Sequence, residues 1–331
     1  MPARKTAGMS DVRQRTVRTN GIDLQVMEAG RPGDPVVVLA HGFPECAHSW
    51  RHQFEPLAAA GYHVLAPDQR GYGHSARPAT VDAYSITDLT ADLVGLLDDV
   101  GAEQAVFVGH DWGSLITWEV ARLHPQRTRA VVGVSVPFTP WIGKPTDLFR
   151  SIYADRFFYM LYFQPVGPAE AEFEADVRRT MHSFMWAASG ARFRGAPDVS
   201  ALPPMKGTGM LDLFTDIPDE LPTWLTAADL DHYVAQFEHS GFFGPVSYYR
   251  NLDANYEVLK EVPPTRIAMP SFFIGGTCDV VVAGRDDFVD AVNGMLPGYR
   301  GKVMIDGAGH WTQQEAPEEF NVALLGFLAG L

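Results

Sequence analysis

The chain has 331 residues, enough to bury a substantial core in one large domain with an insertion or in two domains. Its formal net charge is −14, with 26 Lys and Arg against 40 Asp and Glu, which argues against a surface that neutralises nucleic-acid phosphates. No apolar run approaches the roughly 18 residues of a membrane span, and two cysteines cannot build a disulfide framework.

Residues 1–18 carry Arg4, Lys5, Arg13, Arg15 and Arg18 without the apolar stretch of a secretory signal, so a flexible arm is expected over about residues 1–15. Short apolar, β-branched runs then predict strands at 22–28, 36–40, 63–66, 105–108, 130–136, 271–275 and 302–305. Helical periodicity falls at 50–60, 86–100, 112–123, 286–295 and 317–328. This alternation predicts an α/β fold, a mostly parallel, doubly wound sheet with helices on both faces. Between about 137 and 244 the strand signal vanishes in favour of aromatic, helical sequence, with loop clusters at 190–209 and 241–245. The expected organisation is a first core part at 1–136, a helical cap inserted at 137–244, and a second core part at 245–331. No G-x-G-x-x-G, P-loop or zinc spacing occurs, so neither a cofactor nor a metal is expected. Cys46 and Cys278 read as free thiols packed as small residues, which suits a reducing cytoplasm.

The run Gly109-His110-Asp111-Trp112-Gly113-Ser114 joins a predicted strand to a predicted helix. Its two glycines allow a tight turn that lifts the middle residue above the sheet edge, the geometry of a nucleophile elbow. Here that residue is a carboxylate. It is ionised at the outset, so it can displace a leaving group from sp³ carbon and form an alkyl-enzyme ester, which an activated water must then hydrolyse. An Asp that merely caps the following helix is the plainer alternative.

Three further signals fall at strand ends, where open α/β sheets build their sites. His41-Gly42-Phe43-Pro44 follows the second predicted strand, and the backbone N–H groups of Phe43 and Trp112 are candidates for an oxyanion hole. Asp279 follows the strand at 271–275, and His310 lies between glycines after the last strand. The order nucleophile, acid, histidine is that of an α/β-hydrolase triad, Asp111, Asp279 and His310.

The motifs His41-Gly42-Phe43-Pro44-Glu45, Asp68-Gln69-Arg70-Gly71-Tyr72-Gly73, Gly109-His110-Asp111-Trp112-Gly113 and Gly309-His310-Trp311 closely resemble the epoxide hydrolase branch of the α/β-hydrolase superfamily, in its order. The resemblance runs from about Thr16 to the C-terminus. It implies an α/β-hydrolase fold with an inserted cap, conversion of an epoxide and water to a vicinal diol, and a cis Phe43–Pro44 bond. It also implies two cap tyrosines that donate to the epoxide oxygen, matched here by the segments at 159–164 and 247–251. Position within those segments assigns Tyr159 and Tyr249, with Tyr162 and Tyr248 as close competitors. Phe157, Phe158, Phe184, Trp186, Phe242 and Phe243 are the aromatic residues available to line or support the pocket. The partners so implied are a small-molecule epoxide and water, with a homodimer as a candidate assembly. A haloalkane or haloacid dehalogenase using the same Asp is the alternative. It would need donors for a departing halide, and Phe43 and Trp112 depart from the residues common at those positions in such enzymes.

Overall fold

The computed structural model describes residues 12–140, 142–193, 195 and 199–331. Its strands are β1 (Arg13–Thr19), β2 (Ile22–Ala29), β3 (Val36–Ala40), β4 (His63–Pro67), β5 (Ala105–His110), β6 (Thr128–Val134), β7 (Ser271–Gly276) and β8 (Tyr299–Ile305). They form one sheet in the order β1-β2-β4-β3-β5-β6-β7-β8, with β1 and β2 antiparallel and the remaining six parallel. Every residue of β3, β4 and β5 is buried, which explains why these strands read as continuous apolar runs.

Helices α1 (Phe54–Ala59), α2 (Ile86–Val100) and α3 (Trp112–Leu123) connect the first half of the sheet. Between β6 and β7 lie α4 (Pro145–Tyr153), α5 (Tyr159–Tyr162), α6 (Pro168–Glu174), α7 (Val177–Ala187), α8 (Ala227–Ser240), α9 (Phe243–Arg250) and α10 (Leu252–Leu259). The chain closes with α11 (Asp286–Asn293), α12 (Thr312–Glu315) and α13 (Pro317–Leu328). Side chains alternate across the sheet. Val36, Val38 and Phe107 pack with α2, α3 and the helices that follow β6. Val37, Leu39 and Val106 pack with α1 and α13 on the other face. No helix among the described residues is long and apolar enough to cross a membrane.

Local chemistry explains several boundaries. Helix α2 starts where the Ser85 side chain accepts from the Asp88 N–H and stops at Gly101, at φ 69°. The segment expected as a loop at 241–245 is a loop only at its start, because α9 begins at Phe243. Pro245 sits in its first turn, where a missing N–H costs no intrahelical bond. The helices after β6 continue to Leu259, beyond residue 244 where the sequence reading closes the insertion.

The expected arm needs correction. Residues 13–19 form β1, while residues 1–11 lie outside the described residues. The overlooked signal is Asn20-Gly21, at φ 46° and 77°, which makes a two-residue hairpin turn into β2. Val17 and Thr19 are buried on one side of β1. Arg13 pairs with Glu28 at 2.8 Å, and Arg15 also reaches Glu28.

Burial works against the Glu28 charge, but hydrogen bonds from Arg13, Arg15 and His63 outweigh it and hold the carboxyl down at about 2. A depressed folded pKa contributes stability that is complete above the unfolded value near 4.5 and is lost as pH falls toward 2. Glu28→Gln should therefore lower Tm near neutral pH, and the gap to the wild type should close across that acidic window. Thermal unfolding over a descending pH series checks this, and a gap that does not change with pH would refute it.

Candidate active site

Strand β5 ends at His110 and α3 begins at Trp112, leaving Asp111 alone in the connection at φ 50°, ψ −116°. A non-glycine residue held there costs on the order of 1–3 kcal/mol, which the surrounding packing must sustain. The flanking glycines are required for space rather than for positive φ. A Cβ on Gly109 would lie 2.0 Å from the Gly113 carbonyl oxygen, and one on Gly113 would lie 2.0 Å from that of Ala40. Helix α3 thus packs directly on the backbones of β3 and β5, and the Asp111 carboxylate projects over the sheet edge.

The Phe43 N–H donates to Asp111 Oδ1 at 2.9 Å, and the Trp112 N–H donates to the same carboxylate. Both predicted backbone donors therefore converge on the predicted nucleophile. The Phe43–Pro44 bond is cis. Burial pushes the Asp111 carboxyl up, opposed by His310, His110 and the two N–H groups.

His310 follows β8, with Nε2 3.7 Å from Asp111 Oδ2 and Nδ1 3.1 Å from Asp279 Oδ1. Asp279, just past β7, is fully buried, and its Oδ1 also accepts from the Val281 N–H at 2.9 Å. Burial disfavours the charged ring, but Asp279, Asp111 and Glu45 more than offset it, and His310 is pushed up to about 9. The ring therefore favours its protonated form between Asp111 and Asp279.

These groups open onto a cavity of about 260 Å³. Tyr159 and Tyr249 line it with ring centroids 5.8 Å apart, and the Trp112 side-chain N–H hydrogen-bonds Tyr249. Burial, then the Asp111 charge, raises both phenols above their ordinary range, so both keep their protons and remain donors. The competing hydroxyls are engaged elsewhere. Tyr162 donates to Glu172 at 2.8 Å, and Tyr248 donates to the Arg70 carbonyl at 2.9 Å.

Of the six aromatic candidates for the pocket, Phe184 is among the lining residues. Phe157 and Phe242 are instead buried. The remaining wall comes from Met210, Phe214, Val280, Val281 and Trp311, in segments whose irregular backbone leaves no periodic signal. Sequence reasoning also gave no role to His110 or Glu45, although both lie inside the quoted motifs. His110 Nδ1 lies 2.6 Å from Glu45 Oε2, and its Nε2 donates to the His310 carbonyl at 2.7 Å. Glu45 further accepts from the Gly42 N–H at 2.9 Å and from Gln313 and Gln314 at 3.1 and 2.9 Å. One buried carboxylate therefore ties together the loop after β3, the elbow and the segment after His310. Cys46 is buried beside this network, and burial pushes its thiol up, consistent with packing rather than reactivity.

Residues 35–160 match the family model described as the alpha/beta hydrolase fold. The chain is 50% identical over 323 residues to epoxide hydrolase A of Mycobacterium tuberculosis, covering 96% of this chain and 98% of that protein. It is 48% identical to the crystal structure of epoxide hydrolase A from Mycobacterium thermoresistibile, with a TM-score of 0.88 and coverage of 97% and 99%. Epoxide hydrolase VrEH1 from Vigna radiata is also similar in structure, at 32% identity, TM-score 0.88 and coverage of 98% and 100%.

Because Asp111 is one of the charges that sustain the His310 imidazolium, Asp111→Asn should move the His310 titration downward from about 9. The imidazole resonances followed by NMR across pH report this directly. A midpoint unmoved by the substitution would mean that the two groups do not face each other as described.

Proposed function

The chain belongs to the epoxide hydrolases of the α/β-hydrolase fold, and from that footing we propose how its residues convert an epoxide and water to a vicinal diol. The observation that carries the proposal is an elbow carboxylate facing two tyrosine hydroxyls across an apolar cavity, with His310 3.7 Å behind it. The helices between β6 and β7 act as the cap that supplies Tyr159 and Tyr249 and excludes water from the reacting atoms.

Asp111 Oδ2 attacks an epoxide carbon, and the C–O bond of the ring breaks. Tyr159 and Tyr249 hydrogen-bond the ring oxygen as it takes up negative charge, one phenol passes its proton to the alkoxide, and the phenolate so formed takes back the proton that His310 releases once the ester has formed. Oδ1 stays against the Phe43 N–H, with the Trp112 N–H on the same group, and becomes the carbonyl oxygen of the ester. Forming the ester removes the Asp111 charge, one of the influences that hold His310 protonated. The ring thereby gives up its proton more readily and is free to accept one at the stage when a base is needed. Held by Asp279, His310 takes a proton from water, which attacks the ester carbonyl carbon. The oxyanion forms on Oδ1, in contact with two donors already in place. Collapse releases the diol carrying Oδ2 and leaves the water oxygen in the carboxylate.

The relatives' names favour this chemistry over halide release from the same nucleophile. The cavity lining includes no lysine or arginine among the described residues, so neutral, apolar epoxides suit it better than carboxylate-bearing ones.

His310→Ala should still be alkylated and then stall as the ester. Given a neutral epoxide and its carboxylate-bearing analogue in parallel, intact-mass measurement should show protein plus one substrate for the neutral member. Unmodified protein at saturating neutral epoxide would overturn the reading that alkylation proceeds without His310. Turnover that continues unimpaired would remove His310 as the base, and equal alkylation by the charged analogue would refute the preference for neutral substrates.

The tyrosines act in ring opening. Tyr159→Phe and Tyr249→Phe should each slow alkylation by up to ~10²-fold, by analogy with the loss of an oxyanion donor, and the double substitution should nearly abolish it. Pre-steady-state kinetics of ester formation test this. Alkylation that survives both changes but collapses in Tyr162→Phe or Tyr248→Phe would reverse the assignment within each pair.

A further inference from the structure

A carboxylate with no part in ring opening or ester hydrolysis fastens the His310 loop to the cap. The segment from Met185 to Gly190, at the end of α7, lies against residues 307–311. The His310 N–H donates to the Ala188 carbonyl at 2.9 Å, and the Trp311 side-chain N–H donates to that of Met185 at 2.9 Å. The two backbones touch so closely that a Cβ on Gly190 would lie 2.2 Å from the Gly307 carbonyl oxygen. A Cβ on Gly309 would lie 2.1 Å from the Gly190 nitrogen. Ala187 and Ala188, in the same segment, line the substrate cavity.

Glu315, the last residue of α12, spans this junction. Its Oε2 accepts from the cap's Gly190 N–H at 2.9 Å, and its Oε1 accepts from the Trp311 N–H at 3.2 Å. The Gly309 N–H donates to the same carboxylate. Three backbone donors, one from the cap and two flanking His310, therefore meet on one side chain. An amide could not replace it, since its NH₂ would face an N–H on one side or the other. On its far side the His310 carbonyl accepts from His110 at 2.7 Å and from Ser135 at 2.9 Å, so the loop is held from the core as well.

We propose that Glu315 is a positioning residue that sets the height of His310 over Asp111 by binding the cap and the histidine loop at once. The inference rests on the reading of His310 as the base for ester hydrolysis. Alkylation depends on Asp111 and the two tyrosines, whereas hydrolysis depends on where the imidazole stands. Loosening the clasp therefore slows the second half-reaction and spares the first. A residue that merely supported the fold would depress both together.

The test is Glu315→Gln in single-turnover kinetics with a neutral aryl epoxide, with ester formation and decay followed by quenched intact mass. Leaving buried donors poorly matched should slow ester hydrolysis by about tenfold while alkylation stays within about twofold of wild type. Amide hydrogen exchange should rise at Gly190, Gly309 and Trp311 in the unliganded variant. Glu315→Asp keeps the charge and both acceptor oxygens, guards against a Gln variant that fails to fold, and should slow hydrolysis less. Parallel losses in both half-reactions, unchanged hydrolysis, or unchanged exchange at those amides would overturn the proposal. A wild-type protein that never forms the ester would instead overturn the reading of Asp111, and the exchange measurement would still judge the clasp.

Discussion

Asp111 must stay ionised in a cavity whose other walls are mostly hydrocarbon. Burial alone would favour its protonation, and an unpaired carboxylate in such surroundings would neutralise. Two backbone N–H groups and the His310 imidazolium counter that tendency. The rest of the architecture follows from keeping them in place. The Phe43 N–H follows β3 and the carboxylate follows β5, so the parallel pairing of these two strands sets the distance between that donor and the carboxylate. The imidazolium comes from beyond β8, at the other end of the sheet order from β2, and depends on Asp279 beyond β7.

The elbow shows how tightly these requirements are joined. The strained backbone of Asp111 persists because Gly109 and Gly113 let α3 sit against the sheet with no side chain between. Behind the elbow, Glu45 and His110 form a buried polar network in which both Glu45 oxygens are matched to donors. Such a network is costly when incomplete and rigid when satisfied. Here it joins the three loops that carry Phe43, Asp111 and His310, so a shift in one is transmitted to the others.

The helices that follow β6 contribute more than a cover. They bring two phenol donors to the face of the cavity opposite the elbow, and they return to the core at Gly190, beside the histidine. These helices and the His310 loop are thus in direct backbone contact. The apolar wall raises the phenol pKa values by desolvation, so the phenols keep their protons.

Period and punctuation made most of the core legible in the sequence. Strands buried on both faces read as apolar runs, and α2, bounded by Ser85 and Gly101, was readable to the residue. The strand β1 was hidden because its arginines resemble a basic arm, and only pairing with Glu28 shows Arg13 and Arg15 to share one face of an edge strand. The motifs that bring Asp111, Asp279 and His310 together were visible because each is a local turn at a strand end. What the tertiary structure alone decided is everything that depends on orientation across long separations. Motif position favours Tyr159 over Tyr162 and Tyr249 over Tyr248, but residue type does not separate them, and it is the packing of short helices that turns one of each pair into the cavity. Glu45, His110 and Glu315 carry no periodic signal of their own. The partners that give them their roles, His110 and Gln313 for Glu45 and Gly190 for Glu315, stand far away along the chain, and a hydrogen bond across such a separation exists only once the fold has closed the distance.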